Sequence, residues 1–243
     1  MIDGALAPVF APGGILRASI NLGNPILANR NPAGGDPVGV SIDLAHAFAR
    51  RLGVGVDLVV FEKASASVDA VRDERADVGF FALDPSRHGV RFSAAYVLIE
   101  GSFLVRDASE LTANAEVDRA GTRVSVGAGA VYDLFLSREL RRAEIVRFAG
   151  AEPALAAVRS GEVEVAAGIR QVLEGEARRA AGVRMLPGHF MVIEQAMGAP
   201  ESRGPGAAIA LDRFVEEMKA TGFVAEALAR HGVVGASVAP AAS

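Results

Sequence analysis

Apolar and polar residues alternate along most of the chain between short strand-like runs and helical periodicity. The run Val78–Leu83 is short, apolar and bounded by Asp84-Pro85, which predicts a buried strand. Ser41–Leu52 places its apolar residues on one helical face and ends before Gly53, a residue type favoured just after a helix. Other predicted strands are Leu16–Ile20, Val56–Phe61, Thr122–Val126, Glu144–Phe148 and Val163–Ala167. Strands that alternate with helices indicate parallel βαβ units and therefore an α/β fold.

The second half of the chain repeats this design after a long apolar strand that ends at Val105. A helix is predicted for Val68–Arg75, ahead of that strand in the chain. In the second half, Phe190–Met197 is predicted to be the strand that completes a second small sheet. The C-terminal segment Gly206–His231 is amphipathic, with a predicted break at Thr221-Gly222. The pattern therefore predicts two α/β halves of similar design.

Composition narrows the function classes. The 243 residues suffice for one large or two small domains, and a net charge of −4 with 22% charged residues is typical of a globular protein. The 25 basic residues are dispersed and outnumbered by 29 acidic ones, which argues against a nucleic-acid partner. No run approaches the ~20 apolar residues of a membrane span. Cysteine is absent, which excludes disulfides and thiol chemistry.

Three segments in order, GVSIDLAHAFARRLG, ADVGFFALDPSR and RFSAAYVLIEGSFLV, resemble the family-3 bacterial solute-binding proteins, which have the type II periplasmic-binding-protein fold. That family has a GxxxDL helix, a TPER turn and an FSxPY segment in this order. The resemblance implies two lobes, each a mostly parallel sheet flanked by helices, joined by two crossover strands. Lobe 1 would comprise residues 1–101 and 198–243, with lobe 2, residues 102–197, inserted. It also implies closure around a ligand in the interlobe cleft about this hinge.

Arg87 stands where the family has its TPER arginine, which grips the ligand carboxylate in amino-acid binders. The resemblance implies the same role for Arg87, and a planar guanidinium offers paired donors to a carboxylate. The carboxyl end of a central strand is also where ligands bind in open α/β sheets. The alternative is a surface arginine after a turn. Phe80, Phe81 and Ala82 precede this turn where the family often has hydroxyl or small residues, and they are predicted to line the ligand site.

The loop Gly127–Tyr132 opens a helix directly after a strand, so its free N–H groups suit an anion. The resemblance implies ligand contacts from Gly129, Ala130, Val131 and Tyr132, although the hydroxyl that the family usually has here is missing. As a nucleotide-binding motif the loop is weak, because no third glycine follows.

Ile169 and Arg170 depart from the family pattern. In amino-acid binders an aspartate near this point holds the ligand's ammonium group, so the replacement argues against an ordinary α-amino acid. If Arg170 faces the cleft, two arginines favour an anionic ligand without an amine. The alternative is a solvated residue in the first turn of the next helix.

Four further polar residues are predicted ligand contacts. Asn21 and Asn24 have amides that suit a small polar ligand, but Asn also favours turns. Glu100 and Gln195 lie, with Glu194, in the predicted crossover strands. They either line the cleft or bond hinge backbone, because burial without partners is costly.

The resulting hypothesis is a monomeric binding protein for a small carboxylate-bearing metabolite, one that is not a standard α-amino acid, in ABC transport or sensing. If the protein is exported, its partner would be an ABC-transporter permease, and no cofactor or metal is expected. The alternative is a small lyase or isomerase similar to cyclohexadienyl dehydratases, which resemble this family, with Glu100 or Glu194 as general acid. A third possibility is a purely structural domain.

The N-terminal stretch MIDGALAPVFAPGG has neither a basic n-region nor a continuous apolar h-region, so it is not predicted to be a signal peptide. The compartment therefore stays open. The protein is periplasmic if an export signal has been removed, as the family resemblance favours, and cytoplasmic if the sequence is complete.

Overall fold

The computed structural model describes residues 4–242, which form two compact units. The first unit comprises the chain up to Leu98 and again from Glu194, and the second comprises Ile99–Ile193. Residues 1–3 of the N-terminal stretch, and the last residue of predicted lobe 1, lie outside the described residues. The mixed α/β class predicted from the sequence is confirmed in both units. The exact lobe boundaries, at residues 101 and 197, stay a prediction.

Both units alternate strands with helices. The strands are β1 (Ile15–Asn21), β2 (Gly55–Phe61), β3 (Val78–Ala82), β4 (Val90–Arg106), β5 (Arg123–Gly127), β6 (Glu144–Phe148), β7 (Val165–Ile169), β8 (Val183–Met185), β9 (Met191–Pro200) and β10 (Ser237–Val238). The α-helices are α1 (Ala7–Phe10), α2 (Val40–Leu52), α3 (Ala64–Arg72), α4 (Val131–Glu139), α5 (Ala151–Ser160), α6 (Arg170–Arg179), α7 (Pro205–Ala220) and α8 (Phe223–Arg230). Short 3₁₀ turns lie at Asn114–Glu116 and Glu201–Arg203. Within residues 4–242 no helix combines the length and the apolar character of a membrane span.

The sheet of the first unit has the strand order β2-β1-β3-β9. β1 pairs in parallel with β2 and β3, whereas β9 runs antiparallel to β3, with Phe80 opposite Met197. All five residues of β3 are buried, as expected for a central strand covered on both faces. Because parallel strands end at the same edge, Asn21 and the turn after Ala82 lie at one edge of this sheet.

Helix α2 packs onto the first unit through the apolar face predicted from its periodicity. The ring of Phe48 contacts those of Phe10 and Phe214, each with ring centroids 4.9 Å apart. Gly39 precedes the helix with φ 141°, and a Cβ there would lie 2.3 Å from the carbonyl oxygen of Leu27. Only glycine allows this close approach, which sets where the helix begins.

The sheet of the second unit has the order β4-β7-β5-β6. β5 is parallel to β6 and β7, and β4 runs antiparallel to β7, with Gly101 opposite Ile169. Its core includes Leu104, Leu155 and Leu173. The strand ends at Gly127 and Ile169 therefore share one edge with the part of β4 around Gly101.

Two details of the sequence interpretation need correction. The strand predicted at Phe190–Met197 does not belong to the second sheet alone: β9 neighbours β4, but it also pairs with β3 of the first unit through Gln195 to Gly198. An apolar run shows that a strand exists but does not identify its partner strand. The helix predicted at Val68–Arg75 is α3, Ala64–Arg72, which ends earlier because the chain turns through Glu74 at φ 57°.

Candidate functional site

Arg87 lies in the turn after β3, and its side chain is buried, with 9% of the residue exposed. Its Nη1 donates a hydrogen bond of 2.7 Å to the carbonyl oxygen of Ala82. Burial lowers the pKa of the Arg87 guanidinium to about 10, and the Asp84 carboxylate opposes this only in part. The alternative of a surface arginine is thus at odds with its burial.

The turn that holds Arg87 is stabilised by Asp84. Its Oδ1 accepts hydrogen bonds from the backbone N–H of Ser86 at 2.9 Å and from the Ser86 hydroxyl at 2.5 Å. The backbone N–H of Arg87 donates to the carbonyl of Asp84 at 3.1 Å. This Asp-initiated turn bends the chain directly after the buried strand and brings the Arg87 side chain back to Ala82.

The side chains of Asn21 and Asn24, both predicted to contact the ligand, form hydrogen bonds within turns. Oδ1 of Asn21 accepts from the N–H of Gly23 at 2.9 Å, and Oδ1 of Asn24 accepts from the N–H of Ile26 at 3.3 Å. Their position at the carboxyl end of β1 agrees with the sequence interpretation. The geometry supports the turn role directly, and a ligand contact through the amide nitrogens stays a prediction.

The apolar candidates of the first unit are packed in its core. The ring of Phe81 is 2% exposed and meets Phe92 edge to face at 6.3 Å. Phe80 meets Tyr96 in the same way at 6.3 Å. Ala82 pairs with Gln195 across β3 and β9, and both are buried. These residues are therefore part of the packed core of the first unit, and β3, which contains Phe80 to Ala82, leads into the turn that holds Arg87.

The loop before α4 already contains a carboxylate of its own. The N–H of Gly129 donates to Oδ2 of Asp133 at 2.9 Å, and Nε of Arg147 pairs with Oδ1 of Asp133 at 2.9 Å. Val131 and Tyr132 are each 7% exposed, and burial raises the pKa of the Tyr132 hydroxyl to about 12. Because Asp133 already binds the Gly129 N–H, the loop is less suited to an anionic ligand than its glycines suggested, although Ala130, which precedes α4, is half-buried.

Replacing Asp133 with asparagine is expected to lower the free energy of unfolding by about 1–3 kcal/mol, because a buried charged hydrogen-bond acceptor is removed. Urea denaturation of the two proteins measures the difference. The exposed Glu139→Gln serves as a matched control with the same charge change on the same helix. Equal stability of the Asp133 variant and the wild type would contradict the role of Asp133 as the cap of this loop.

Arg170 lies at the start of α6 and is bound within the second unit. Its Nε is 2.5 Å from Oε2 of Glu100, an ion pair in which the Nε–H is not aligned for a hydrogen bond. Its Nη2 donates to the carbonyl of Gly188 at 2.7 Å, and its Nη1 is 3.7 Å from Glu174. The second oxygen of Glu100 is 3.1 Å from Nδ1 of His189.

Sequence reasoning missed His189, Glu174 and Asp133 as parts of these arrangements. Glu174 follows Arg170 by one helical turn and Asp133 stands in the first turn of α4, so both carried a local signal in the sequence. His189 carried none, because it meets Glu100 only through the pairing of its segment with β4. Glu100 is ion-paired and Glu194 is exposed, so neither has the apolar surroundings of a general acid.

A cavity of about 280 Å³ opens at the other edge of the second sheet. Its lining includes Arg106, Arg123, Glu162 and Glu164, at the amino ends of β5 and β7. The strand ends at Gly127 and Ile169 lie at the opposite edge, so this cavity is separate from the candidate residues described above.

Comparison with known proteins gives the family context. The model of the family described as bacterial extracellular solute-binding proteins, family 3, matches residues 23–233. No protein of curated function matches the chain.

Solved structures are similar over nearly the whole chain. An amino acid ABC transporter substrate-binding protein from Streptococcus pneumoniae bound to L-arginine has a TM-score of 0.76 at 17% identity, with 91% of this chain and 96% of that chain covered. A cysteine-binding protein from Campylobacter jejuni has a TM-score of 0.76 at 16% identity, covering 94% and 92%. An ancestral amino acid-binding protein, a precursor of cyclohexadienyl dehydratase, has 0.74 at 20% identity, covering 90% and 96%. These similarities confirm the predicted fold class.

Proposed function

The chain belongs to family 3 of the bacterial extracellular solute-binding proteins, and we propose that it binds a small carboxylate-bearing solute with Arg87 as the main anchor. The observation that carries this proposal is the buried guanidinium at the carboxyl end of β3. Enclosure of the ligand by hinge closure, and delivery to an ABC-transporter permease, are parts of the proposal that follow from the family.

The surroundings of Arg87 favour an anionic ligand group. The cation is desolvated, its bonded partner Ala82 offers a neutral carbonyl, and its lowered pKa shows that the protein compensates the charge incompletely. A carboxylate would add its negative charge to that of Asp84, which offsets the burial only in part, and would accept two parallel hydrogen bonds from the guanidinium. A strongly perturbed ionisable group at a strand end is a recognised mark of a functional site.

The absence of an amine in the ligand is no longer part of the proposal. That expectation depended on Ile169 and Arg170 in place of an ammonium-binding aspartate, with Arg170 as a second, unbalanced positive charge. Because Arg170 is paired with Glu100, the second unit offers no such excess. The proposed ligand class is therefore small carboxylates, including amino acids.

Thermal unfolding of the ligand-free protein against a panel of amino acids, 2-oxo acids, dicarboxylates, phosphates and polyamines tests the proposal. A ligand at a hundredfold excess over its Kd should add ~2.7 kcal/mol to the free energy of unfolding. We expect a carboxylate to raise the Tm of the wild type and to have no effect on Arg87→Ala. The control Arg75→Ala removes an exposed arginine of the first unit and should respond like the wild type.

Two results would contradict the proposal. One is an Arg87→Ala protein that responds to carboxylates as strongly as the wild type. The other is a panel in which only phosphates or polyamines, or no compound at all, raise the Tm.

A further inference from the structure

The turn that follows β3 contains a counter-charge for Arg87 within the turn itself. Asp84 and Arg87 are both buried, with 8% and 9% of the residue exposed. Burial lowers the pKa of the Arg87 guanidinium, and the negative charge of Asp84 raises it by a smaller amount. Because the turn from Asp84 to Arg87 holds one carboxylate and one guanidinium, its formal charge is zero.

Asp84 acts on Arg87 through space and leaves the donors of the guanidinium available. Within residues 4–242 the guanidinium forms no ion pair in contact, and its hydrogen bond is the one from Nη1 to the carbonyl of Ala82. In that part of the chain no nitrogen of Arg87 is both enclosed and without a partner, so the donors that Ala82 leaves unused reach solvent. A ligand carboxylate can therefore bind the guanidinium while Asp84 stays in place.

Asp84 also has a structural task in this turn, and an asparagine can perform that task. Oδ1 of Asp84 accepts from the N–H and the hydroxyl of Ser86, and an asparagine oxygen accepts the same two bonds without a charge. The backbone is held on both sides of Asp84 as well. The N–H of Leu83 donates to the carbonyl of Glu194 at 2.7 Å, and the N–H of Arg87 donates to the carbonyl of Asp84 at 3.1 Å. The variant Asp84→Asn should therefore fold, keep the turn and lose only the charge.

We infer that Asp84 is a specificity-determining residue, whose negative charge weakens carboxylate binding by Arg87 and so reduces the preference of the site for a carboxylate over an uncharged group of the same shape. This inference rests on the proposed function, in which Arg87 holds a ligand carboxylate. A bound carboxylate would share one guanidinium with Asp84, and two negative charges repel each other strongly where water is largely excluded. An uncharged amide meets no such repulsion.

Calorimetric titration with matched carboxylates and amides tests the inference. The pairs are propionate and propionamide, L-alanine and L-alaninamide, and L-phenylalanine and L-phenylalaninamide, in which an amide replaces the carboxylate. We expect Asp84→Asn to bind the carboxylate of a pair about tenfold more tightly than the wild type does, because a negative charge near the guanidinium is removed. The affinity for the amide should stay at the wild-type value.

Two control variants separate this effect from a change in net charge and from a loosened turn. Asp57→Asn makes the same charge change at an exposed position of β2, opposite Arg17 in the first half of β1, and should bind like the wild type. Ser86→Ala removes the hydroxyl that donates to Asp84 but keeps the charge of Asp84. It should not tighten carboxylate binding, whereas a role of Asp84 in turn structure alone would make Ser86→Ala and Asp84→Asn change binding in the same direction.

The outcomes distinguish this inference from the proposed function. An Asp84→Asn protein that binds carboxylates no more tightly than the wild type, or that gains affinity equally for both members of a pair, overturns the inference and leaves the proposed function standing. Carboxylate binding that appears only in Asp84→Asn supports the inference. Carboxylate affinity that survives unchanged in Arg87→Ala, or its absence from both the wild type and Asp84→Asn, overturns the proposed function and the inference together.

Discussion

Replacing Arg87 with methionine is expected to make the ligand-free protein more stable by about 1–2 kcal/mol at pH 7. Burial lowers the pKa of this guanidinium from its ordinary value to about 10, which corresponds to a penalty on the order of 3 kcal/mol for keeping it charged. The hydrogen bond to Ala82 offsets about 1 kcal/mol of that penalty. Methionine fills a similar volume without a charge, as in replacements of other buried ions. A stability gain combined with a loss of binding would identify Arg87 as a residue retained for function.

The pH dependence of this difference provides an independent check. Above pH 10 the folded protein releases the Arg87 proton, whereas arginine in the unfolded chain keeps its proton to a higher pH. The unfolded state then binds more protons, so this group adds stability to the wild type as the pH rises. The advantage of Arg87→Met, measured by urea denaturation from pH 7 to 11, should therefore narrow above pH 10. A variant that is less stable than the wild type at pH 7 would refute the interpretation, and the exposed Arg75→Met is the control.

Replacing Asp77 with alanine is expected to lower the free energy of unfolding by about 3–5 kcal/mol. Asp77 is 1% exposed and accepts hydrogen bonds from the Arg17 backbone N–H at 2.9 Å and from its guanidinium at 2.8 and 3.0 Å. Nη2 of Arg203 donates to the same carboxylate at 3.2 Å. Without Asp77, the largely buried Arg203 loses its nearest counter-charge, and the C-terminal segment loses an attachment to β1 and β3.

Urea denaturation measures this loss, and Asp57→Ala is the matched control. Asp57 is an exposed aspartate of β2, so its removal should change stability by less than about 0.5 kcal/mol. If Asp77→Ala lost less than about 1 kcal/mol, the buried ion pairs would not be a major source of stability for the first unit.

Sequence patterns predicted helices and strands well where the signal, such as a short apolar run or a turn residue, spans only a few positions. Val78–Ala82 was predicted as a buried strand because its apolar run is short and ends at Asp84-Pro85, and α2 was predicted from its one-sided periodicity. The break at Thr221-Gly222 was confirmed, since Gly222 adopts φ 81° between α7 and α8. The pairing of β9 with β3 joins distant parts of the chain, which no local pattern can specify.

The sequence predicted where the candidate site residues stand along the chain, but it did not predict which opposite charges they meet. The motif order predicted where Arg87 stands, but only the structure shows that Arg87 is buried and bonded to the carbonyl of Ala82. The partner of Arg170 could not be predicted either. Glu100 reaches it through the register of β4 with β7, which is a long-range property. The expectation of an amine-free ligand depended in part on treating Arg170 as unpaired, and otherwise on the apolar Ile169 where the family has an aspartate.

The chain order of the two units has a consequence for synthesis on the ribosome. The second unit is one continuous segment, Ile99–Ile193, so all of its strands are available once that segment has emerged. The first unit needs β9, α7 and α8, which follow most or all of the inserted segment along the chain, to cover β3 and α2. Domains generally fold as units in the order in which they are completed. The nascent chain therefore carries the exposed β3 edge until β9 has emerged, and the inserted unit is the first that can reach its native state.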